Sequence, residues 1–227
     1  MKSLKEICED NLVHSLTHSL LEVSSSADER IDEALDNSEK GNIEKWIEDN
    51  YNFYGTLEIS DEPNDDGLYE VSLTGAASAY DHIKSVANGM FVWKRVSGKF
   101  SLIKCNELKS LEGSPEDVGG TFRCDQCDSL KTLKGAPKNV FDDFNCSLCT
   151  SLESLEGAPQ TVVGDFNCGG CSSLKSLKGS PEVIDGDFQC GGCYSLTSLK
   201  GGPKVVYGDF SCYGTLIKDL TGAPKKV

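Results

Sequence analysis

Apolar residues recur every 22 positions between residues 96 and 227. Phenylalanine holds one phase of this repeat: Phe100, Phe122, Phe144, Phe166, Phe188 and Phe210. A valine or isoleucine four residues earlier holds another: Val96, Val118, Val140, Val162, Ile184 and Val206. A fixed period of about 20 to 30 residues is typical of a solenoid, in which each unit buries its apolar side only against its neighbours. The sequence therefore predicts six stacked coils over 96–227.

Within one repeat, apolar and polar residues alternate around the phenylalanine. This period of two predicts a short strand in which Phe166 and Cys168 point inward while Asp165 and Asn167 face outward. Two later leucines are expected to cover the far side of the coil: Leu174 and Leu177. Burial of these apolar side chains contributes on the order of 10 kcal/mol per repeat, which is less than the cost of ordering 22 residues. A single coil is therefore unstable, and the coils fold only as a stack.

The first 95 residues lack the repeat and predict a lobe of helices and strands. Apolar residues at three- and four-residue spacing indicate three helices: one over 3–23, a short one capped by Ser26, and one capped by Asn42 after a break at Gly41. Alternating segments then indicate three strands, of which the first two form a hairpin: 56–60, 69–73 and 90–95. We expect this lobe to cap the first coil, because an open solenoid end exposes apolar side chains and strand edges. The predicted domains are an acidic helical lobe with a β-hairpin cap, 1–95, and the six-coil solenoid, 96–227.

The net charge of the chain narrows the choice of partner. It is −14 overall, and residues 1–100 alone carry 9 basic and 20 acidic side chains. Such a surface repels nucleic-acid phosphates, so we expect a basic protein partner and no direct nucleic-acid binding. The absence of an 18-residue apolar run predicts no membrane span. The N-terminal residues lack the apolar core of a secretion signal, so the 11 cysteines are expected to be reduced thiols in the cytoplasm.

The cysteines allow more than one interpretation. Four C-x-x-C pairs are 22 residues apart: Cys124/Cys127, Cys146/Cys149, Cys168/Cys171 and Cys190/Cys193. That spacing is typical of a zinc ribbon, but it also fits two buried columns of small side chains. Leu102 occupies the first column in the first coil, and leucine cannot ligate zinc. The sulfurs of a zinc site lie about 3.7–3.8 Å apart, closer than the coil spacing of about 4.8 Å. Buried thiol columns are the favoured interpretation, zinc and disulfides are the alternatives, and no cofactor is predicted.

Outward-facing polar residues form the candidate binding site, which we call the Asp/Asn strip. One column is mostly aspartate and the next mostly amide, and together they give the predicted partner-binding residues: Arg123, Asp143, Asn145, Asp165, Asn167, Asp187, Gln189 and Asp209. Aspartates about 4.8 Å apart repel one another unless a cation or a basic partner covers them. The structural alternative is that Gly-Asp simply supplies a turn residue at the start of the strand, and a calcium site is a third interpretation.

The repeat resembles leucine-rich repeats, especially the cysteine-containing and bacterial-surface types. Phe166, Cys168, Cys171 and Leu174 match positions of that pattern, with Cys171 in place of the ladder asparagine. The resemblance implies a parallel-sheet solenoid that binds protein, and it implies no catalytic residue. Similar arrays with the Leu-x-Gly-Ala-Pro-x-x-Val-x-Gly-Asp-Phe pattern occur in tailed-phage and bacterial proteins. That similarity implies an accessory protein that blocks a host factor in the host cytoplasm.

The predicted fold class is α+β, with an N-terminal helical and β cap lobe followed by a short parallel, leucine-rich-repeat-like β-solenoid of six 22-residue coils. The predicted function is non-enzymatic protein–protein interaction. One alternative is self-assembly or a homodimer through the C-terminal coil, because Val227 fills the first position of a seventh unit. The others are a zinc protein that uses the C-x-x-C pairs and an enzyme with its site in residues 1–95.

Overall fold

The computed structural model describes residues 38–226. Residues 38–50 are helical (α1) and are followed by strands alone. No helix in this part of the chain is long and apolar enough to cross a membrane. The helices predicted over 3–23 and from Ser26 lie outside the described residues. Two compact units are distinguished, 1–45 and 46–227, and every described strand belongs to the second.

The predicted helix break at Gly41 and Asn42 is wrong, because α1 runs through both residues. Glycine costs a helix about 1 kcal/mol relative to alanine, and asparagine costs less. Ile43 and Ile47 on the same helix are completely buried. Burying each contributes about 1.5–3 kcal/mol. Packing of the helix therefore outweighs the two unfavourable residues.

The predicted hairpin is confirmed, and both of its strands are longer than the sequence indicated. β1 (Tyr51–Ile59) and β2 (Tyr69–Ala79) pair antiparallel along the whole of β1. Gly75 lies opposite Gly55, and a Cβ on Gly75 would come within 1.9 Å of the Tyr54 carbonyl oxygen. Glycine is therefore required at this pair, because a side chain on either residue would clash with the backbone of the facing strand.

Beyond the hairpin the chain forms two columns of parallel strands, which confirms the predicted solenoid. β2 starts both columns, since its first half pairs with β3 (Phe91–Val96) and its second half with β4 (Phe100–Ser101). The aliphatic column continues through β5 (Asp117–Val118), β7 (Asn139–Val140), β9 (Thr161–Val162), β11 (Val183–Ile184) and β13 (Val205–Val206). The phenylalanine column continues through β6 (Phe122–Arg123), β8 (Phe144–Asn145), β10 (Phe166–Asn167), β12 (Phe188–Gln189) and β14 (Phe210–Ser211).

Each coil thus contains two short strands, whereas the alternating pattern predicted only the one at the phenylalanine. Coils 1 to 6 begin at residues 96, 118, 140, 162, 184 and 206. Successive strands of the phenylalanine column pair at a separation of 22 residues, as in Phe144↔Phe166↔Phe188. In the aliphatic column the pairing is interrupted between β9 and β11, and β11 pairs with β13 in a separate two-stranded sheet. β3 runs across the predicted domain boundary at 95/96, and the division of the chain at that point stays a prediction.

The core consists of columns that run along the solenoid axis. The six phenylalanine rings stack with centroids 5.9, 5.5, 5.1, 5.4 and 5.5 Å apart from one coil to the next. Phe166 and its neighbours in coils 1 to 5 are fully buried, whereas Phe210 in coil 6 is partly exposed. The C-x-x-C cysteines of coils 2 to 5 are also fully buried, and so are the two leucines that follow them in each coil, such as Leu174 and Leu177. The predicted inward orientation of these residues is confirmed.

A divergent coil that the sequence did not reveal precedes coil 1. In β2, Leu73 pairs with Val96 and Ala77 pairs with Phe100, so β2 supplies both strand positions of a coil. Buried Val86 lies 22 residues before Leu108 and accepts a 2.9 Å hydrogen bond from the hydroxyl of Tyr51. This coil has no phenylalanine, and a register shift after Val71 changes its spacing from 22 to 23. Because of these two differences, the 22-residue sequence pattern does not extend to this coil.

Candidate functional site

The aspartates of the strip are linked to one another through the backbone. The Oδ1 atom of Asp143 accepts the N–H of Asp165 at 2.9 Å, Asp165 accepts that of Asp187 at 2.8 Å, and Asp187 accepts that of Asp209 at 2.7 Å. These bonds support the structural interpretation of the column, since each carboxylate anchors the following coil. The second oxygen of Asp165 has no hydrogen-bond partner among the described residues, so this carboxylate can still receive a ligand.

The same geometry explains why glycine precedes Asp165, Asp187 and Asp209. A Cβ on Gly186 would lie 2.3 Å from the Oδ1 atom of Asp165, and one on Gly208 would lie 2.3 Å from that of Asp187. The carboxylate of one coil therefore occupies the space above the glycine of the next. The repeated Gly-Asp pair is one device for connecting the coils.

The amide column is in register beside the aspartates. Asn145, Asn167 and Gln189 pair in sequence from coil to coil. Asn145 and Asn167 each use the side-chain oxygen to accept a 2.9 Å hydrogen bond from the backbone two residues ahead, at Ser147 and Gly169. Their NH₂ groups, and the whole side-chain amide of Gln189, make no hydrogen bond within residues 38–226. These amides are the free donors of the strip.

Arg123 differs from the other predicted residues. Its guanidinium donates two hydrogen bonds to the carboxylate of Asp125, at 2.8 and 2.9 Å, and Asp125 is almost fully buried. The charge of Arg123 is thus neutralised by an internal partner. The structure brings all eight predicted residues onto one face, but it leaves Arg123 committed to a structural ion pair.

A groove next to the amide column was not predicted from the sequence. We call it the Gly–Tyr groove; its volume is about 440 Å³ and its lining residues are Ser147, Leu148, Asn167, Gly169, Gly170, Gln189, Gly191, Gly192, Tyr194 and Tyr213. Every one of these side chains is uncharged, in a protein of which 26% of the residues are charged. Asn167 and Gln189 belong both to the strip and to the groove, so the two surfaces are continuous.

The floor of the groove arises from a backbone feature of the C-x-x-C turn. The residue before the second cysteine column has a left-handed φ in every coil, and glycine fills this position only in the last three. The φ values are 60° at Lys104, 61° at Gln126, 59° at Leu148, 73° at Gly170, 72° at Gly192 and 63° at Gly214. This conformation costs a residue other than glycine about 1–2 kcal/mol. The Gly-Gly pairs of coils 4 and 5 remove both the strain and the side chains.

Two apolar side chains from neighbouring coils lie over this glycine floor. A Cβ on Gly170 would come within 2.6 Å of the Cδ2 atom of Leu148, and a Cβ on Gly191 would come within 2.4 Å of the Cε1 atom of Tyr213. Leu148 remains 50% exposed and Tyr213 77% exposed, and Tyr194 in the same groove is 66% exposed. The groove therefore presents an apolar and aromatic surface to solvent.

The cysteines lie inside the coils, away from this face. The thiols of the second column donate to carbonyl groups 25 residues earlier, as in the 3.0 Å bond from Cys149 to Cys124. Burial raises the pKa of the Cys146 thiol, and it raises the pKa of Cys190 to about 12. The ten cysteines of the described part are free thiols. Across residues 38–226 no group of three or more His, Cys, Asp or Glu residues is arranged to hold a metal ion, so the zinc alternative gains no support there.

Sequence reasoning thus located the Asp/Asn strip and missed the groove beside it. The sequence signal for the groove is a Gly-Gly pair between the two cysteines, which only coils 4 and 5 contain. The tyrosines at 194 and 213 lie close to these pairs in the sequence. Comparison with known proteins adds no further information about this site. The chain matches no protein-family model, no curated protein and no solved structure.

Proposed function

We propose that the protein is a non-enzymatic interaction module that binds an extended, basic segment of a partner protein along coils 3 to 6. The observation that carries the proposal is the alignment of three features on one face: the aspartates, the free amides and the Gly–Tyr groove. All three follow the solenoid axis with a spacing of about 4.8 Å per coil. An extended segment along the axis would contact all of them.

The charge of the aspartate column favours a basic ligand. Two unit charges about 4.8 Å apart repel by about 0.9 kcal/mol in water and by more where the surface is partly desolvated. The column places four such carboxylates in sequence, from Asp143 to Asp209. Lysine or arginine side chains of a partner would relieve this repulsion.

The proposal is tested with synthetic peptides of equal length that are neutral, weakly basic or strongly basic, by fluorescence polarisation at two salt concentrations. Affinity is expected to rise with positive charge and to fall with salt. The Asp165→Asn/Asp187→Asn variant should bind about 2- to 30-fold more weakly, since each exposed ion pair contributes about 0.2–1 kcal/mol. Asparagine retains the side-chain oxygen that accepts the next coil's N–H, so the fold is preserved.

The matched control is Asp65→Asn/Asp66→Asn, which removes the same charge from exposed positions between β1 and β2. It is expected to leave peptide affinity unchanged. An equal loss in both variants would show that total charge, and not the strip, attracts the peptide. Affinity that is independent of peptide charge would overturn the proposal.

Self-assembly through coil 6 is a second candidate, supported by a specific observation. β14 pairs with β12 on one side and with no described strand on the other, and Leu216 and Leu220 near it are exposed. An unpaired strand edge with exposed apolar neighbours is a template for association. Light scattering over a range of concentrations tests this idea. A wild-type dimer that Leu220→Lys converts to a monomer supports it, and a wild-type monomer at high concentration excludes it.

Two further parts of the proposal rest on the repeat pattern. The buried columns at Cys171 and Leu174 support assignment of the coils to the leucine-rich-repeat type, whose members typically bind proteins. In a phage-encoded protein, binding a basic segment of a host factor would withdraw that segment from nucleic acid in the host cytoplasm. This form of inhibition needs no catalytic residue.

A further inference from the structure

We propose that the Gly–Tyr groove binds the partner segment as a polyproline II helix, so that the preferred ligand is a proline-rich peptide with basic residues. This inference rests on the proposed function, because it specifies the conformation of the segment bound at the same face. It depends on the lining of the groove, the spacing of the coils and the exposed apolar side chain of Leu148.

The lining provides both contacts that a polyproline II ligand requires. Such a helix has no internal hydrogen bonds, so its carbonyl groups need external donors, and its proline rings pack on aromatic side chains. The NH₂ groups of Asn167 and Gln189 are donors without a partner among the described residues. Tyr194 and Tyr213 provide exposed rings at the same groove.

The spacing of the coils matches the pitch of the ligand. Polyproline II has three residues per turn and a rise of about 3.1 Å per residue, which gives about 9.3 Å per turn. Two coils of the solenoid span about 9.6 Å. A ligand along the axis therefore presents the same face to every second coil. A β-strand repeats its side-chain direction every 6.6–6.8 Å or so, and it loses register with the coils.

The glycine floor permits the backbone of the ligand to approach closely. In coil 2 the corresponding positions carry Asp125 and Gln126, whereas coils 4 and 5 carry glycine. Leu148 covers Gly170 and Tyr213 covers Gly191, so the open part of the floor lies at Gly192. Glycine is common where a backbone must come close to a ligand, because it has no side chain. The groove is thus restricted to one part of the solenoid.

Leu148 gives independent support for a binding role. It holds a left-handed φ of 59° where the next two coils use glycine, and its side chain is half exposed. Lys104 and Gln126 share this φ, so the backbone belongs to the turn of every coil, and the support from Leu148 comes from its exposed apolar side chain. Leu148 forms the end of the groove nearest coil 3, where it provides an apolar contact for the ligand.

The aspartate column determines the charge of the ligand. Asp165 is two residues before Asn167 on the same strand face, which places the two columns about 6.6–6.8 Å apart. Lysine and arginine side chains on a peptide in the groove are long enough to cover that distance. The expected ligand therefore combines prolines that contact the groove with basic residues that contact the strip.

The experiment compares two peptides of equal length and equal positive charge by fluorescence polarisation. One is proline-rich, and in the other glycine and serine replace the prolines. We expect the proline-rich peptide to bind about tenfold more tightly, because its bound conformation is already formed. Equal affinities that still increase with peptide charge would overturn this inference and leave the proposed function intact. Loss of the charge dependence would overturn the proposed function itself.

Variants of the groove complete the test. Leu148→Gly and Tyr213→Ser should weaken binding of the proline-rich peptide about tenfold and leave the glycine–serine peptide little changed. Leu148→Gly introduces the residue that coils 4 and 5 carry at this position, so it is compatible with the fold. The control is Tyr207→Ser, which removes an exposed tyrosine outside the groove. Equal effects of Tyr213→Ser and Tyr207→Ser on binding of the proline-rich peptide would overturn the assignment.

Discussion

Truncation of one phenylalanine ring measures how strongly the coils depend on each other. Phe166 is fully buried, and its ring is 5.1 Å from that of Phe144 and 5.4 Å from that of Phe188. Phe→Ala in a core costs about 3–5 kcal/mol, and each aromatic pair contributes about 0.5–1.5 kcal/mol beyond burial. We expect Phe166→Ala, which loses two aromatic pairs, to lower the free energy of unfolding by about 4–8 kcal/mol.

The matched control is Phe210→Ala at the end of the same column. Phe210 is partly exposed and stacks on one ring, at 5.5 Å from Phe188. With less complete burial and one aromatic pair fewer, its loss should be about 1–2 kcal/mol smaller than that of Phe166→Ala.

Urea denaturation followed by circular dichroism gives both free energies. In Phe166→Ala, the weakened contact between coils should also broaden the transition, because a solenoid is stabilised by interfaces between nearest neighbours. Equal losses for the interior and terminal variants would contradict this reasoning. They would mean that the rings contribute by simple burial within their own coils, without coupling between coils.

Three further predictions concern backbone strain, pH and the aspartate column. Lys104→Gly should raise the free energy of unfolding by about 0.5–1 kcal/mol, measured by thermal unfolding. The reason is that relief of the left-handed conformation exceeds the added flexibility of the unfolded chain. A destabilised variant would show that the backbone at Lys104 is not strained. The raised pKa values of Cys124, Cys146 and Cys190 mean that the native state keeps protons which the unfolded state loses. Stability should therefore decrease as the pH rises above about 8.5, and Cys190, whose pKa is raised to about 12, contributes about 1.4 kcal/mol per pH unit to that decrease; Cys190→Val should make the slope shallower by about this amount in urea titrations at several pH values, and an unchanged slope would refute the contribution. Asp165→Ala should lower the free energy of unfolding by about 1 kcal/mol more than Asp165→Asn, because only asparagine retains the acceptor for the next coil's N–H. Equal free energies of unfolding for the two variants in urea titrations would mean that this hydrogen bond contributes nothing to stability.

Parts of the fold were predictable because they repeat or alternate. The period of 22 identified six coils, and the period of two assigned Phe166 to the inside and Asp165 to the outside. The divergent coil formed by β2 and the residues after it escaped detection, because Ala77 replaces phenylalanine and the register shifts by one residue. The helix through Gly41 was also not predicted, because local helix propensity depends on the residue itself and does not include the burial of other residues of the same helix.

The sequence by itself determined which residues share a column and which side of the coil they face, because both properties follow from fixed spacing. Tertiary structure alone decided what the columns do to each other. Stacking brings residues 22 positions apart to within about 4.8 Å. At that distance Asp165 anchors the following coil, Leu148 extends over Gly170, and Tyr213 lies back over Gly191. The groove exists only through such contacts between coils, and no single repeat contains it.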